Sequence, residues 1–303
     1  MPYYSGAKTN AGERLTFLIY NNESFNSVAE RFYKEELILN VTLFKIGARL
    51  YKLDKKLNVG EFELRRGMSM LKLLEHITND NSKKYDLYVK ECITNWELRK
   101  LLESKNYLSN DLLGIELSEG SYAPNTYRIS YNTKASSVIA LMRAHQKKIV
   151  DYEWKHRHPS LPLMSKDELV VLASIIEREA ANLAEMPTVA SVFINRLNRN
   201  MRLQSDPTVV FGLDNGNTRI RKKILKRDLK SNTPFNTYKI SGLPPTPICN
   251  PSRQAIKSAA NPDNTNFLYF VLTNSGTHAF STSFEEHRAK VIRFRKGRQA
   301  GSN

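Results

Sequence analysis

Two glutamates stand two positions apart near the end of the stretch SKDELVVLASIIEREA, which covers residues 165–180. Ser165 is followed three residues later by Glu168 and then by an apolar run, a capping box that predicts the start of a helix. At about 100° per residue, Glu179 lies about 60° from the centre of the apolar face, and Glu177 lies about 100° from it on the other side. Glu179 is therefore the acid that we expect to be more buried.

A carboxyl group that is pressed against apolar side chains has its charged form disfavoured. Its pKa rises, so it can hold a proton and donate it near neutral pH. This chemistry makes Glu179 a candidate general acid. The helix alone leaves a second interpretation open, in which Glu177 and Glu179 are solvated residues at the rim of an ordinary amphipathic helix.

The elements around this helix predict an α+β fold with about two domains. The first part of the chain combines predicted strands at 15–20 and 60–64 with predicted helices at 41–51 and after Ser24 and Ser69. A polar break, Asn-Asp-Asn-Ser at 79–82, ends this pattern. We therefore expect an N-terminal segment at 1–14, a small α+β module at 15–80 and a larger mixed α/β domain at 83–303.

The larger domain is predicted to surround the helix of the two glutamates with further helices and a few strands. Strands are expected at 85–90, 267–272 and 276–280, the last two antiparallel, and helices after the Thr94/Glu97 capping box, at 138–154, 186–198 and 252–260, and from 284 onward. Asp206-Pro207 predicts a turn. Residues 233–251 hold five of the chain's twelve prolines. Their stiffness favours an ordered loop that presents Asn236, Thr237 and Tyr238 to a ligand, with a merely rigid connection as the alternative.

The charge balance favours acidic partners. Lys plus Arg exceed Asp plus Glu by 46 − 30 = 16, which suits nucleic acid, anionic lipid headgroups and acidic cell-wall polymers alike. The densest basic run, at 219–230, is interpreted as a solvated face. RNP-like aromatic motifs, a GXXG loop and zinc knuckles are all missing from the sequence, so we predict no nucleic-acid partner.

No metal or cofactor site is predicted. His156 and His158 stand two apart on a loop without a nearby acidic or cysteine partner, and no phosphate-binding glycine motif is present. Cys92 and Cys249 lie far apart without metal-ligand spacing, and we expect two buried free thiols rather than a disulfide. No apolar run approaches the roughly 18–20 residues of a membrane span.

Four strings in the chain are long enough to identify a family. They are LASIIEREA, ASVFINRLNRNMRLQSDPTVVFGL, TPFNTYKISGLPPTPICNPS and HAFSTSFEEH. Their order and spacing over residues 119–288 resemble the YceG-like family of endolytic murein transglycosylases, the MltG group. Residues 15–78 are similar to the LysM-like module that precedes the catalytic domain in this family. The chain departs from the family pattern at Cys92, Thr246 and Ser252, where glycine is more usual.

The resemblance implies an enzyme that cuts peptidoglycan strands between N-acetylmuramic acid and N-acetylglucosamine without water, leaving 1,6-anhydro ends that terminate nascent strands. The segment IIEREA overlays the Ile-x-x-x-Glu-Ser pattern of other lytic transglycosylases, with Glu179 on their catalytic acid. The matched strings imply substrate contacts from Gln204, Asn236 and Tyr238, and no cofactor. One acid suffices for this reaction. Glu177 and Glu179 point about 200° apart on their helix, so they do not form the paired carboxylates of a glycoside hydrolase.

The resemblance also implies partners and a location. Peptidoglycan strands are the expected substrate, and peptidoglycan synthases are a further candidate partner. The family usually begins with one membrane-spanning helix that anchors it in the inner membrane, with the catalytic part on the periplasmic side. We therefore expect roughly 20 apolar residues upstream of this chain. The rival interpretation is a non-enzymatic module that binds peptidoglycan without cutting it.

Overall fold

The computed structural model describes residues 13–79, 81–214, 216–217 and 224–300, with side chains up to residue 294. Most of the predicted N-terminal segment and part of the basic run at 219–230 lie outside these residues. The described chain forms two compact units. The first unit contains residues 13–87, Lys105–Asp111 and Thr126–Ala135, and the second contains Tyr88–Ser104, Leu112–Asn125 and residues 136–300.

The first unit begins with two strands and three helices. They are β1 (Arg14–Ile19), α1 (Phe25–Lys34), α2 (Val41–Leu50), β2 (Gly60–Arg65) and α3 (Met70–Thr78). The two strands pair antiparallel along their whole length. Each helix starts at a side chain that accepts a backbone N–H hydrogen bond, from Ser24, Asn40 and Ser69 respectively. The buried core of these elements lies entirely between Phe17 and Ile77 in sequence.

Two pairs of short strands complete the first unit. β3 (Lys84–Tyr88) pairs with β5 (Thr126–Ser130), and β4 (Leu108–Ser109) pairs in parallel with β6 (Thr133–Lys134). The rings of Tyr85 and Tyr107 stack with their centroids 4.5 Å apart, so aromatic packing joins segments that are separate in sequence. The domain boundary predicted near residue 83 stays a prediction.

The second unit is mainly helical. Its elements are α4 (Asn95–Glu103), α5 (Ala135–Lys155), α6 (Lys166–Glu179), α7 (Met186–Asn198), α8 (Asp206–Gly212), α9 (Arg253–Ala260), β7 (Tyr269–Leu272), β8 (His278–Ser281) and α10 (Phe284–Ala300). β7 and β8 form the predicted antiparallel hairpin. Helices with small sheets in both units confirm the α+β fold class. No described helix is both long enough and apolar enough to cross a bilayer.

Helix α6 is the central element of the second unit. It packs against α7, α8 and α9, and every residue from Leu169 to Ile176 is buried. The sequence pattern predicts burial along a single apolar stripe. The observed burial is wider because several helices surround α6, and the sequence pattern does not show how many neighbours a helix has. Ser165 caps α6 by accepting the Glu168 N–H, while the Glu168 carboxylate accepts the N–H of Met164. The capping box of α4 is complete, with both the Thr94 and the Glu97 hydrogen bonds formed.

Two further sequence predictions are wrong in the second unit. The first is the turn at Asp206-Pro207, which instead begins α8, because proline's fixed φ suits the first turn of a helix. The second concerns Cys92 and Cys249, which form a disulfide with Cα atoms 4.9 Å apart. An antiparallel bridge between Ile93 and Asn250 brings the two cysteines within bonding reach, and sequence separation carries no information about that contact.

Candidate active site

The carboxyl group of Glu179 lies at the end of α6, where that helix meets the segment that precedes α8. The Ser205 hydroxyl donates a hydrogen bond of 2.6 Å to Oε1 of Glu179. Burial of the carboxyl raises the pKa of Glu179 to about 7, and the nearby negative charge of Asp206 adds to the increase. The Ser205 hydrogen bond and the charge of Arg196 act in the opposite direction. Glu179 is thus an acid that holds its proton near neutral pH.

Ser205 is held by a cluster of buried hydroxyl groups. Its backbone N–H donates to Thr237 Oγ1 at 2.9 Å, and the hydroxyls of Thr208 and Thr237 also lie 2.9 Å apart. Ser205 stands at the N-cap of α8, yet its side chain makes no capping hydrogen bond. The hydroxyl that would cap α8 is bonded to Glu179 instead, which gives the Glu179 carboxyl a fixed partner.

A second carboxylate, that of Asp206, lies beside Glu179. The phenol of Tyr238 donates a 2.6 Å hydrogen bond to Asp206 Oδ1. Burial and this hydrogen bond raise the pKa of Tyr238, so the phenol stays protonated at any physiological pH. Asp206 is exposed while Tyr238 is partly buried. The Asp206–Tyr238 pair therefore lies beside the Glu179 carboxyl and is partly open to solvent.

Arg196 on α7 supports the same site through hydrogen bonds to backbone carbonyls. This buried side chain donates from Nε to the Leu268 carbonyl and from Nη1 to the Leu203 carbonyl, each at 2.7 Å. The segment just before Gln204 is thereby tied to α7. Sequence reasoning misses Arg196, Ser205 and Asp206 because their closeness to Glu179 depends on the fold. The one local signal is that Ser205 and Asp206 directly follow Gln204.

The three residues expected to bind substrate occupy different positions. Gln204 is exposed and has a left-handed backbone, with φ of 49°. Tyr238 contacts Asp206 at the site. Asn236 is fully buried, and its amide donates to the carbonyls of Leu229 and Ser231 at 3.1 and 2.7 Å. The contacts of Asn236 therefore shape the loop, whereas Tyr238 reaches Asp206 beside Glu179 and Gln204 directly precedes Ser205 in the chain.

Glu177 faces a different part of the unit. Its Oε2 accepts the N–H of Ser252 at 2.8 Å, at the N-cap of α9. Burial raises the pKa of Glu177 as well, while the Ser252 hydrogen bonds lower it. The Glu177 carboxylate is thus fixed by a hydrogen bond and partly buried, rather than solvated. The two acids contact separate segments, as their angular separation on the helix predicts.

Glu179 has two features that a general acid–base group needs, because its carboxyl is desolvated and is held by a hydrogen bond. Within the described residues, no group of three or more His, Cys, Asp or Glu side chains is arranged to hold a metal ion. The sequence signature of the YceG-like family matches residues 17–293. The chain belongs to that family.

Two curated relatives are similar to part of the chain. A Bacillus subtilis protein named endolytic murein transglycosylase is 33% identical over 189 residues, which are 61% of this chain and 51% of that protein. A Streptococcus pneumoniae protein of the same name is 32% identical over 176 residues, 57% of this chain and 31% of that protein. The matched regions thus span about half or less of these relatives' length.

A solved structure is similar over nearly the whole chain. The crystal structure of a YceG-like protein from Listeria monocytogenes superposes with a TM-score of 0.54 at 26% sequence identity. The match covers 92% of this chain and 99% of the Listeria chain. The fold of this chain is therefore similar to that of a solved YceG-like structure.

Proposed function

We propose that this chain is an endolytic murein lytic transglycosylase with Glu179 as its only general acid and base. The observation that carries the proposal is the desolvated Glu179 carboxyl, which is protonated near neutral pH and held by Ser205. Membership of the YceG-like family supports the substrate, since two relatives are named for murein transglycosylation. The substrate is a peptidoglycan strand cut between N-acetylmuramic acid and N-acetylglucosamine.

The reaction uses Glu179 twice. Ser205 occupies Oε1, so Oε2 carries the proton and gives it to the glycosidic oxygen as the bond to C1 breaks. The Glu179 carboxylate then takes the proton of the muramic acid 6-hydroxyl, whose oxygen bonds to C1 and closes the 1,6-anhydro ring. The proton returns to Glu179, and no water is consumed. Asp206 supplies negative charge close to the positive charge that develops on the sugar ring.

The neighbouring polar residues have separate roles in this proposal. Gln204 and Tyr238 contact the sugars, because amide and phenol groups provide the hydrogen bonds and flat surface that a sugar ring needs. Asn236 positions the loop that carries Tyr238, since its Oδ1 accepts the Tyr238 N–H at 3.1 Å. Arg196 keeps the preceding segment in register with α7.

The chain acts outside the cytoplasm in this proposal. The disulfide between Cys92 and Cys249 supports that location, because disulfides persist in oxidising compartments. A single-pass anchor in the inner membrane, with this part on the periplasmic side, brings the site close to newly made strands. In this proposal, the activity ends the elongation of those strands, beside peptidoglycan synthases.

Mass spectrometry of un-degraded peptidoglycan after digestion tests the proposal. The expected products carry 1,6-anhydro ends and arise within strands. Products with reducing ends only would indicate a hydrolase in which Asp206 acts as a second carboxylate. Binding of strands without any product would indicate the non-enzymatic alternative.

A further inference from the structure

Helix α2 of the first unit has an exposed apolar face. Leu43, Ile46 and Leu50 stand at helical positions i, i+3 and i+7, and their exposed fractions are 60%, 48% and 76%. This face lies about 150° around the helix from Phe44 and Ala48, which are fully buried in the core of the unit. Helix α2 therefore has one apolar face against the core and a second one in solvent.

The exposed apolar surface extends beyond the helix itself. Leu39, just before α2, is 97% exposed, and Tyr51, at its end, is exposed as well. A Cβ at Gly47 would lie 3.4 Å from Sδ of Met70, so the exposed Met70 side chain at the start of α3 lies beside α2. Single exposed apolar residues are ordinary, whereas a group of neighbouring ones marks a binding surface. The name α2 face is used below for Leu39, Leu43, Ile46, Leu50, Tyr51 and Met70.

Cations flank the α2 face. Residues 39–57 contain five Lys or Arg residues and one Asp, so their formal net charge is 5 − 1 = +4. Lys45 pairs with Glu30 at 3.3 Å. The other four cations are exposed and form no ion pair with a carboxylate of the described residues: Arg49, Lys52, Lys55 and Lys56. The apolar surface therefore lies beside positive charge that this chain does not compensate.

The combination of apolar and cationic side chains identifies the occupant. A dissolved polyanion would account for the cations, but it would leave the leucines in water. A hydrophobic protein partner would account for the leucines but not for the four lysine and arginine charges beside them. An anionic bilayer matches both, because its acyl chains receive apolar side chains while its headgroup phosphates lie at the level of the cations. Helix α2 has 10 residues and is about 15 Å long, so it fits along the surface of a bilayer.

We propose that the α2 face is a membrane-contact surface, which enters the interface of a bilayer that carries anionic lipid headgroups. Helix α2 then lies parallel to the bilayer, with Leu43 and Leu50 among the upper acyl chains and with Arg49 and Lys52 at the phosphates. The contact lies wholly within the first unit and does not depend on the chemistry of Glu179. It uses no membrane-spanning helix, so it can be measured on this chain.

Flotation of the chain with lipid vesicles tests the apolar part of the contact. The wild type should bind phosphatidylcholine vesicles that contain about one-third phosphatidylglycerol, and it should bind pure phosphatidylcholine at least tenfold more weakly. The double variant Leu43→Gln/Leu50→Gln should lower the partition coefficient on the anionic vesicles by about tenfold or more, because two buried leucines are lost. The matched control is Leu113→Gln/Leu141→Gln, which changes two exposed leucines of the second unit and should bind like the wild type.

A second pair of variants tests the charges. Arg49→Gln/Lys52→Gln should weaken binding to the anionic vesicles by about tenfold or more, since each cation near an anionic surface contributes about fivefold to the partition coefficient. Lys148→Gln/Lys257→Gln removes the same net charge from exposed positions of the second unit. This control should bind like the wild type, because its lysines lie away from the α2 face.

Three results would overturn the proposal. The first is a wild type that stays unbound at millimolar anionic lipid. The second is a Leu43→Gln/Leu50→Gln variant that binds as well as the wild type, which would reduce the binding to attraction between charges. The third is a wild-type dimer in light scattering that the same variant dissociates, which would assign the α2 face to a second copy of the chain.

A tryptophan probe makes the test independent of any effect that the glutamines have on folding. Leu39→Trp places an indole at the most exposed position of the α2 face, and Leu113→Trp places one at a fully exposed position of the second unit. Trp96 and Trp154 are common to both proteins. Anionic vesicles with brominated acyl chains should quench the fluorescence of Leu39→Trp more strongly. Equal quenching of the two proteins would mean that the α2 face stays in water.

Discussion

At the scale of single residues, Glu179→Gln is the most direct test of the proposed acid. The substitution keeps the shape and the hydrogen bond from Ser205 but removes the titrating proton. Turnover should fall by at least the roughly 10²–10⁴-fold that general acid–base catalysis contributes. Anhydro-product formation per mole of folded protein is the measurement, with circular dichroism to show that the fold is intact.

Glu177→Gln is the matched control on the same helix. Its carboxyl holds the N–H of Ser252, which the amide oxygen of glutamine also accepts, so turnover should change little. Some loss of thermal stability is compatible with the assignment, because Glu177 has a structural partner. An inactive Glu177→Gln beside a fully active Glu179→Gln would transfer the catalytic role to Glu177.

The raised pKa of Glu179 also predicts how stability depends on pH. The folded state disfavours the charged form of the Glu179 carboxyl. The contribution of Glu179 to the free energy of unfolding is therefore fully present below the ordinary pKa of 4.5 and is lost as the pH rises through about 7. Glu179→Gln does not titrate and avoids that loss, which amounts to about 3 kcal/mol at most. The Tm of the variant relative to the wild type should therefore rise from acidic pH to about pH 8. A difference that stays constant with pH would show that Glu179 titrates normally.

Gln204 has a backbone conformation that glycine adopts without strain. Its φ of 49° costs a non-glycine residue about 1 kcal/mol or more. Gln204→Gly should therefore raise Tm slightly and raise KM, because the sugar contact proposed for Gln204 is lost with the side chain. Asn200 has a similar φ of 54°, and Asn200→Gly should leave KM unchanged. Loss of Tm in Gln204→Gly would indicate that the side chain stabilises the fold.

At the scale of elements, Gly120 determines how closely a loop approaches α6. Gly120→Ala adds a Cβ that meets Pro247 and Val170 well inside contact distance, and it also strains a positive φ. Gly242 has a similar φ of +76° but nothing within 4 Å of the added Cβ. Gly242→Ala should therefore cost about 1 kcal/mol, and Gly120→Ala clearly more. Equal losses in thermal or urea unfolding would mean that the loop can move away from α6.

Elements that depend on neighbours in sequence could be predicted, and contacts between distant segments could not. Ser24, Thr94 and Ser165 begin helices because each caps backbone groups three residues away, so the signal is local. Ser205 and Asp206 approach Glu179 only after α8 has packed against α6. Their role is therefore invisible in the sequence, although the apolar pattern of α6 correctly indicates that Glu179 is the more desolvated of the two acids.

At the scale of the whole molecule, the sequence predicts that the small N-terminal module folds by itself. Its core residues all lie between Phe17 and Ile77, so a fragment of residues 13–79 contains the complete cluster. We expect this fragment and the fragment 83–303 each to show a cooperative thermal transition. A fragment 83–303 that melts without cooperativity would mean that the two parts depend on one shared core.

The disulfide determines how the second unit behaves after a protease has cleaved it. Cys92 and Cys249 are 157 residues apart in sequence, and α6, α7 and α8 all lie between them. A protease that cleaves once anywhere in this interval leaves two pieces joined by a covalent bond. Until the disulfide is reduced, a nicked molecule would keep the Glu179 helix attached. It would migrate as one species on a gel until a reducing agent is added.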